Sequence, residues 1–436
     1  MDIQHFKILK FGNTLFSIGV FFLATAPFLS AIVFLPSLII GTFNRKDKLL
    51  NDKWNYPFIA VSVLMIISCL VQKTQNYYPF DYENNLSFIG LFNWLPLFWI
   101  FWGFQPYLST KQLRKKTLFL IIVGSIPVII TGLTQYFFNW YGPFDIFYGF
   151  IVWYQRPINS DQGLTALFNN QNYAGTWLSM ISLGSLAFTL VKEDKRIKKL
   201  ISLFITILIF ITTFLTLSRN AILSTITFAL FFIKSKKFIT FLKFLIISLI
   251  LSILFGELIN LENLILKFSK LILDSYEYTV SEEIFLKTRK FFMFVNFQSY
   301  PRLIIWNSAI DLISQKSMFG WGAGSFPLLF NDYDIGNIQG QHTHNLPIEI
   351  ALNYGIPSSF ILTVTISLLA INNFKKDLKI NYLDKFSEEN IFDTAWIAAT
   401  GIFLFSHLFD ITYFDSRISV FSWILIAGLR NMLKEN

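Results

Sequence analysis

Two histidines, one residue apart, carry the most reactive chemistry in this chain. His342 and His344 stand in the run His-Thr-His-Asn and make up half of its four histidines. An imidazole with an ordinary pKa of ~6.5 takes a proton from a hydroxyl near neutral pH, so a histidine general base is the reading these residues favour. A metal reading needs a third ligand. His5 and His407 are poorly placed for that, and Asp332 and Asp334 lie at a spacing that matches no familiar site. No metal or other cofactor is expected. The plain alternative is a polar pair at a helix start, since Asn345 and Pro347 are start signals.

Three arginines suit an anionic partner. Arg302 follows Pro301 in the first turn of a predicted helix, where the free backbone N–H groups and the guanidinium together can hold an anion. Arg219, in TLSRNA, falls at the end of an apolar run, where a cation must reach the lipid headgroups or find a partner. Arg156, in WYQRPINS, stands beside aromatics. Three converging guanidinium groups would fit a diphosphate, whose oxygens they bind in pairs. Each of the three also has a simpler reading as a headgroup contact. Lys287, Arg289 and Lys290 read as a solvated basic cluster. Glu349 and Asp410 can each orient a histidine or simply meet solvent. Gly320, Gly322 and Gly324 predict a tight turn, with a backbone nest for an anion as the alternative. No strand precedes them, which excludes a dinucleotide fold.

The elements that must hold these residues are membrane helices. The 436 residues are 54% hydrophobic and only 14% charged, against about 25% charged in soluble domains. Apolar runs separated by short charged loops predict an all-α polytopic membrane protein, one integral membrane domain over 1–436. The net charge of +9 is scattered over loops rather than gathered in a patch, so it reads as a topology signal and not as nucleic-acid binding. Cys69 is the only cysteine, which excludes an intrachain disulfide and a cysteine metal site.

The charge pattern predicts about twelve transmembrane helices with both termini cytoplasmic. The stretch 15–41 is read as two short helices turning near Pro27. Further spans are expected at about 57–71, 86–104, 117–138, 238–255 and 346–371, among others. The segment 256–344 is then one large periplasmic loop. Within it Leu303, Trp306, Ile310 and Ile313 recur at helical spacing and predict an amphipathic helix on the membrane surface.

Several of these segments together resemble the O-antigen ligase and O-antigen polymerase family. The resemblance rests on HTHN entering an apolar helix with the glycine of NYG downstream, on RLIIWNSAI followed by GWGAGSF, on LSRNA, and on LFNNQNYAG. It covers roughly 164–355 by motif. It implies a metal-independent glycosyltransferase in the bacterial inner membrane, acting on the periplasmic face in polysaccharide or lipopolysaccharide biosynthesis. The donor would be a glycan on undecaprenyl diphosphate. The acceptor would be a lipid A-core sugar for a ligase, or another lipid-linked repeat for a polymerase. By motif, His344 would be the base, with His342 in support. Arg219 and Arg302 would bind the diphosphate. Arg156, Asn172 and Glu349 are weaker candidates. The reading from a different class is a transporter or flippase, which would show internal repeats and charged groups at mid-membrane; neither is visible.

Overall fold

The structure is a computed structural model, and it describes residues 3–44, 49–74, 85–146, 148–149, 151–159, 162–191, 195–233, 301–331, 340–380, 387–388 and 390–435. The expected span at 238–255, most of the large loop, and Lys287, Arg289, Lys290, Asp332 and Asp334 lie outside the described residues.

The chain is mostly helical. Helices α1 (Ile3–Phe22) and α2 (Pro27–Phe43) form a tight antiparallel pair, and Pro27 opens α2 at a position that needs no N–H donor. Then follow α3 (Tyr56–Thr74), the short α4 (Asn85–Gly90), α5 (Leu95–Gly103), α6 (Lys111–Gly124) and α7 (Ile126–Phe138). After a two-stranded hairpin come α8 (Gln171–Leu190), α9 (Arg196–Leu215) and α10 (Arg219–Phe232). The last group is α11 (Pro301–Gln315), α12 (Phe326–Asn331), α13 (Leu346–Tyr354), α14 (Ile356–Leu378), α15 (Ile391–Ser406) and α16 (Ser416–Lys434). Among the described residues, five helical segments are long and apolar enough to cross a membrane: 53–73, 86–103, 111–138, 196–215 and 356–378. The face of α9 carrying Leu200, Phe204, Ile207, Ile211 and Phe214 is exposed, as expected for a surface that meets lipid rather than water.

The structure corrects several details. The expected spans 86–104 and 117–138 correspond to two of these segments, but the first is α4 and α5 joined by a 3-10 turn and the second is broken at Ser125, just before Pro127. The expected helix 346–371 is two helices split at Gly355, whose φ of 88° suits glycine and where a Cβ would collide with the Met318 carbonyl. The fold is not purely α. Strands β1 (Phe144–Ile146) and β2 (Ile151–Trp153) pair antiparallel, Asp145 opposite Val152. The buried face of α11 also differs from the expected one. Ile305, Ala309, Leu312 and Ile313 are buried, whereas Ile310 is exposed. That face packs on α12 and α13.

Polar ties hold each end of the bundle. At one end the fully buried Arg114 makes paired hydrogen bonds to Asp393 and to Glu435, while Arg430 holds Asp52. At the other end Trp153 donates to the Thr25 carbonyl, Leu164 to Leu215, Asn220 to Ser406, and Leu346 to His407. All the expected site residues belong to this second end.

Candidate active site

The two histidines are placed by a loop pinned on all sides. Asn345 caps α13 by accepting the Ile348 N–H, as its position before Pro347 predicts. Thr343, fully buried, donates its N–H to Glu349 at 2.9 Å and accepts the Trp306 indole N–H at 2.8 Å. Glu349 therefore supports the histidines through the Thr343 amide. Trp306 belongs to α11, so the helix that carries Arg302 is tied to the same loop. His344 takes a left-handed φ of 54°, unusual for a side chain this size, and its N–H donates to His342 Nδ1 at 3.2 Å.

That geometry brings the His344 ring to a carboxylate far away in sequence. Nδ1 of His344 lies 2.9 Å from Oδ1 of Asp410, in the turn between α15 and α16. The other Asp410 oxygen accepts the Asn172 amide at 2.8 Å, and Oδ1 also takes the Ile411 N–H. The Asp410 side chain is 6% exposed and the imidazole 30% exposed, so the carboxylate is shielded while the ring can be reached. Burial alone would raise Asp410. The hydrogen bond and charge of His344, with Arg302 and His342, outweigh that and hold the carboxyl below its ordinary value. Burial, with His344 and Arg302 nearby, pushes His342 down to about 4 despite the pull of Asp410. A neutral His342 can accept the His344 N–H, and an ionised Asp410 fixes the proton of His344 on Nδ1. Nε2 of His344 is left as the acceptor of a proton.

The turn that bears Asp410 has its own support. His407, buried, donates from Nδ1 to the Phe403 carbonyl at 2.7 Å, and Thr412 donates to its Nε2 at 3.2 Å. His407 is thus a structural histidine.

The arginines separate. Arg302, exposed in the first turn of α11, lies close enough for its charge to act on both His342 and Asp410. Arg219 is the first residue of α10 rather than the last of the preceding helix, capped by Ser218. Ser218 packs against Gly175, one turn beyond Asn172 on α8, so Arg219 stands at the same end of the bundle as the histidines. Arg156 is exposed beyond the hairpin, and its carbonyl accepts from Gln135. The contacts among the described residues do not bring it to His344.

The glycine turn resolves to its plainer reading. The N–H groups of Trp321 and Gly322 donate to the Leu352 and Asn353 carbonyls at the end of α13, which removes them from anion binding. Gln72 and Ser68 of α3 hold the Phe319 carbonyl from the other side.

Asp410 also supplies the third ligand that the sequence lacked. One ligand atom each from His342, His344 and Asp410 lie within 4.8 Å of one another, a donor set that could hold a cation. In this arrangement, however, Nδ1 of each histidine is already engaged, one with Asp410 and the other with a backbone N–H. Sequence reasoning had placed Asp410 only as a group able to orient a histidine. Its 66-residue separation from His344 left no local signal for the pair.

A cavity of about 420 Å³ opens between α10, α13, α14, α15 and α16, directly beneath this site. Pro347 and Leu408 stand at the site end, and Phe228, Phe374, Gly401 and Phe403 are among its apolar walls.

A helical membrane protein with a histidine–carboxylate pair at one end of its bundle is the class that fold and site define. Residues 204–363 match the family model described as O-antigen ligase, which supports membership of that family. The matched segment includes Arg219, Arg302, His342, His344 and Glu349, but not Asn172 or Asp410. No curated protein matches the chain. The family it matches is one of O-antigen ligase-type enzymes, which implies a lipid-linked glycan and an acceptor as partners.

Proposed function

We propose that this protein transfers a glycan from undecaprenyl diphosphate to an acceptor hydroxyl on the periplasmic face of the inner membrane. The observation that carries the proposal is the 2.9 Å contact between His344 Nδ1 and Asp410, which leaves Nε2 of a partly exposed ring as the proton acceptor. Nε2 takes the acceptor O–H proton as the oxygen attacks the anomeric carbon. The bond from that carbon to the diphosphate oxygen breaks, and the diphosphate leaves on its carrier. Asp410 stabilises the imidazolium that forms. Arg302 and Arg219 neutralise charge on the leaving diphosphate. Glu349, Thr343 and Trp306 hold the base still, and His342 receives the backbone amide of His344.

Two further features support this reading. The apolar cavity meets the polar site at Pro347 and Leu408, so a polyprenyl tail and its diphosphate have adjoining places. The basic residues Lys111, Lys115, Arg196, Lys198, Lys375 and Lys376 crowd the opposite end, which by the positive-inside rule faces the cytoplasm. Twelve spans with both termini inside complete the proposed topology. The acceptor we favour is lipid A-core, as for a ligase. A polymerase that joins lipid-linked repeats uses the same chemistry.

The test is a glycan gel of a deletion strain complemented with wild type, His344→Ala or Arg302→Ala, with membrane levels matched. Loss of long glycan on the lipid core, restored by wild type alone, is expected. Long chains accumulating on the carrier indicate a ligase, and single repeats a polymerase. Restoration by His344→Ala would refute the base and direct attention to transport.

A further inference from the structure

The hairpin of β1 and β2 takes no part in the site, yet its described residues expose several aromatic and aliphatic side chains. Residues 144–154 read FDIFYGFIVWY, with Asp145 their single charge. Tyr148 at the tip is fully exposed, and Ile146, Val152 and Tyr154 are exposed along the strands. Just before the hairpin Trp140 and Tyr141 are exposed too, with Trp140 packed on Phe144 at 4.7 Å between ring centroids.

Three observations indicate what covers this surface. First, it continues an exposed apolar face. Helix α7 ends with Tyr136, Phe137 and Phe138 all exposed, and the left-handed Asn139 turns the chain directly into Trp140. Second, the hairpin is fixed to the rim. Trp153 donates its indole N–H at 2.6 Å to the Thr25 carbonyl in the turn between α1 and α2. That pair packs chiefly on itself and on α6, and Phe28, Leu29 and Ile32 of α2 are exposed just beyond the turn. Third, polarity changes at the exit. Tyr154, Arg156 and Asn159 succeed one another as exposed residues, a passage from aromatic to cationic to neutral polar. Aromatic rings beside a cation, at the end of lipid-facing helices, match the chemistry of the bilayer interface, where rings sit at headgroup level and a guanidinium meets phosphate.

We propose that the hairpin is an interfacial anchor that sets Tyr148 into the headgroup–acyl boundary of the leaflet at the active-site end. The partner is the lipid surface itself. A soluble glycan would call for polar hydrogen-bonding groups among the rings, and Asp145 is the only charged one in the hairpin. The anchor would hold the α7–α8 connection, and with it Asn172, at a fixed depth. The proposal does not depend on the transfer chemistry.

The test uses the full chain as Tyr148→Cys, labelled with an NBD fluorophore in nanodiscs of phosphatidylethanolamine and phosphatidylglycerol. Cys69 is buried and stays in place, with wild-type protein reporting any labelling there. Asn159→Cys, exposed on the same segment beyond the hairpin, is the comparison. Tyr148 is fully exposed among the described residues, so the cysteine variant is expected to fold. At position 148 we expect blue-shifted emission, quenching by lipids with a shallow nitroxide, and iodide quenching about threefold or more weaker than at 159. Equal iodide quenching at both positions, without lipid quenching, would overturn the anchor. So would protection of position 148 by added oligosaccharide rather than by lipid, which would make the hairpin a glycan platform.

Discussion

His344 and Asp410 meet at 2.9 Å across the loop before α13 and the turn before α16, and Asn172 of α8 holds the other carboxylate oxygen at 2.8 Å. Three separate segments thus converge on one histidine–carboxylate pair. Replacing Asp410 with Asn keeps the shape but removes the charge that fixes the tautomer of His344. A positioned base contributes about 10²–10⁴-fold, so kcat should fall by roughly that range while thermal stability changes little. Asn172→Ala removes one hydrogen bond to a charged group, worth about 1.5–3 kcal/mol, and should cost roughly 10- to 100-fold. Steady-state transfer rates on reconstituted protein check both.

Arg302 is exposed at the start of α11, so the proposed donor binding by it rests on charge rather than packing. Arg302→Ala should weaken donor binding about 10- to 100-fold, the worth of charge-assisted contacts to phosphate. Arg302→Lys should recover only part of it, because an ammonium cannot bind two oxygens in the guanidinium geometry. Binding of a lipid diphosphate to the two variants is the direct measurement. Equal affinity for wild type and Arg302→Ala would remove this arginine from the donor site.

The pKa of His342, pushed down to about 4 in the fold, links stability to pH. Unfolded, it titrates near its ordinary ~6.5. Below that value the unfolded chain binds the proton more readily, so this residue should make stability fall as pH drops from about 6.5 toward about 4. Asp410, held low, keeps its stabilising contribution through that window and loses it only as pH falls below the ordinary carboxylate value toward its lower folded one. Melting curves of wild type and His342→Gln should diverge in slope below about pH 6.5. Parallel slopes would show that His342 is not buried as described.

The ligand atoms of His342, His344 and Asp410 lie within 4.8 Å, close enough to raise the question of a metal. In the general-base account the Nδ1 hydrogen bonds of both rings occupy that space, and chelator should leave transfer unchanged. Loss of activity with EDTA, restored by one divalent ion, would reassign the cluster as a metal centre.

Much of this was legible in the sequence for physical reasons that can be named. Pro27 marked the first turn because proline suits a helix start, and Asn345 marked the cap of α13 because its side chain can accept the Ile348 N–H. The breaks at Ser125 and Gly355 escaped notice because hydropathy averages over a window that both halves satisfy. The hairpin escaped because FDIFYGFIVWY is apolar throughout and lacks the common Asn-Gly turn. The face of α11 was misphased because Leu303, Ile304, Ile305 and Trp306 are four apolar residues in a row, which allow more than one stripe. Asp410 is the instructive case. It is an ordinary turn aspartate in FDITYFDSR, and only tertiary packing sets it beside His344.

The most direct test of the central claim is single-turnover transfer by purified protein, with a lipid-diphosphate glycan and an acceptor, comparing wild type with His344→Gln across pH. Gln keeps a polar side chain of similar reach but cannot take a proton. The account predicts that transfer falls by about 10²–10⁴ while donor binding stays intact and the residual rate loses its dependence on the base. A His344→Gln enzyme that transfers at the wild-type rate with the wild-type pH profile would contradict it.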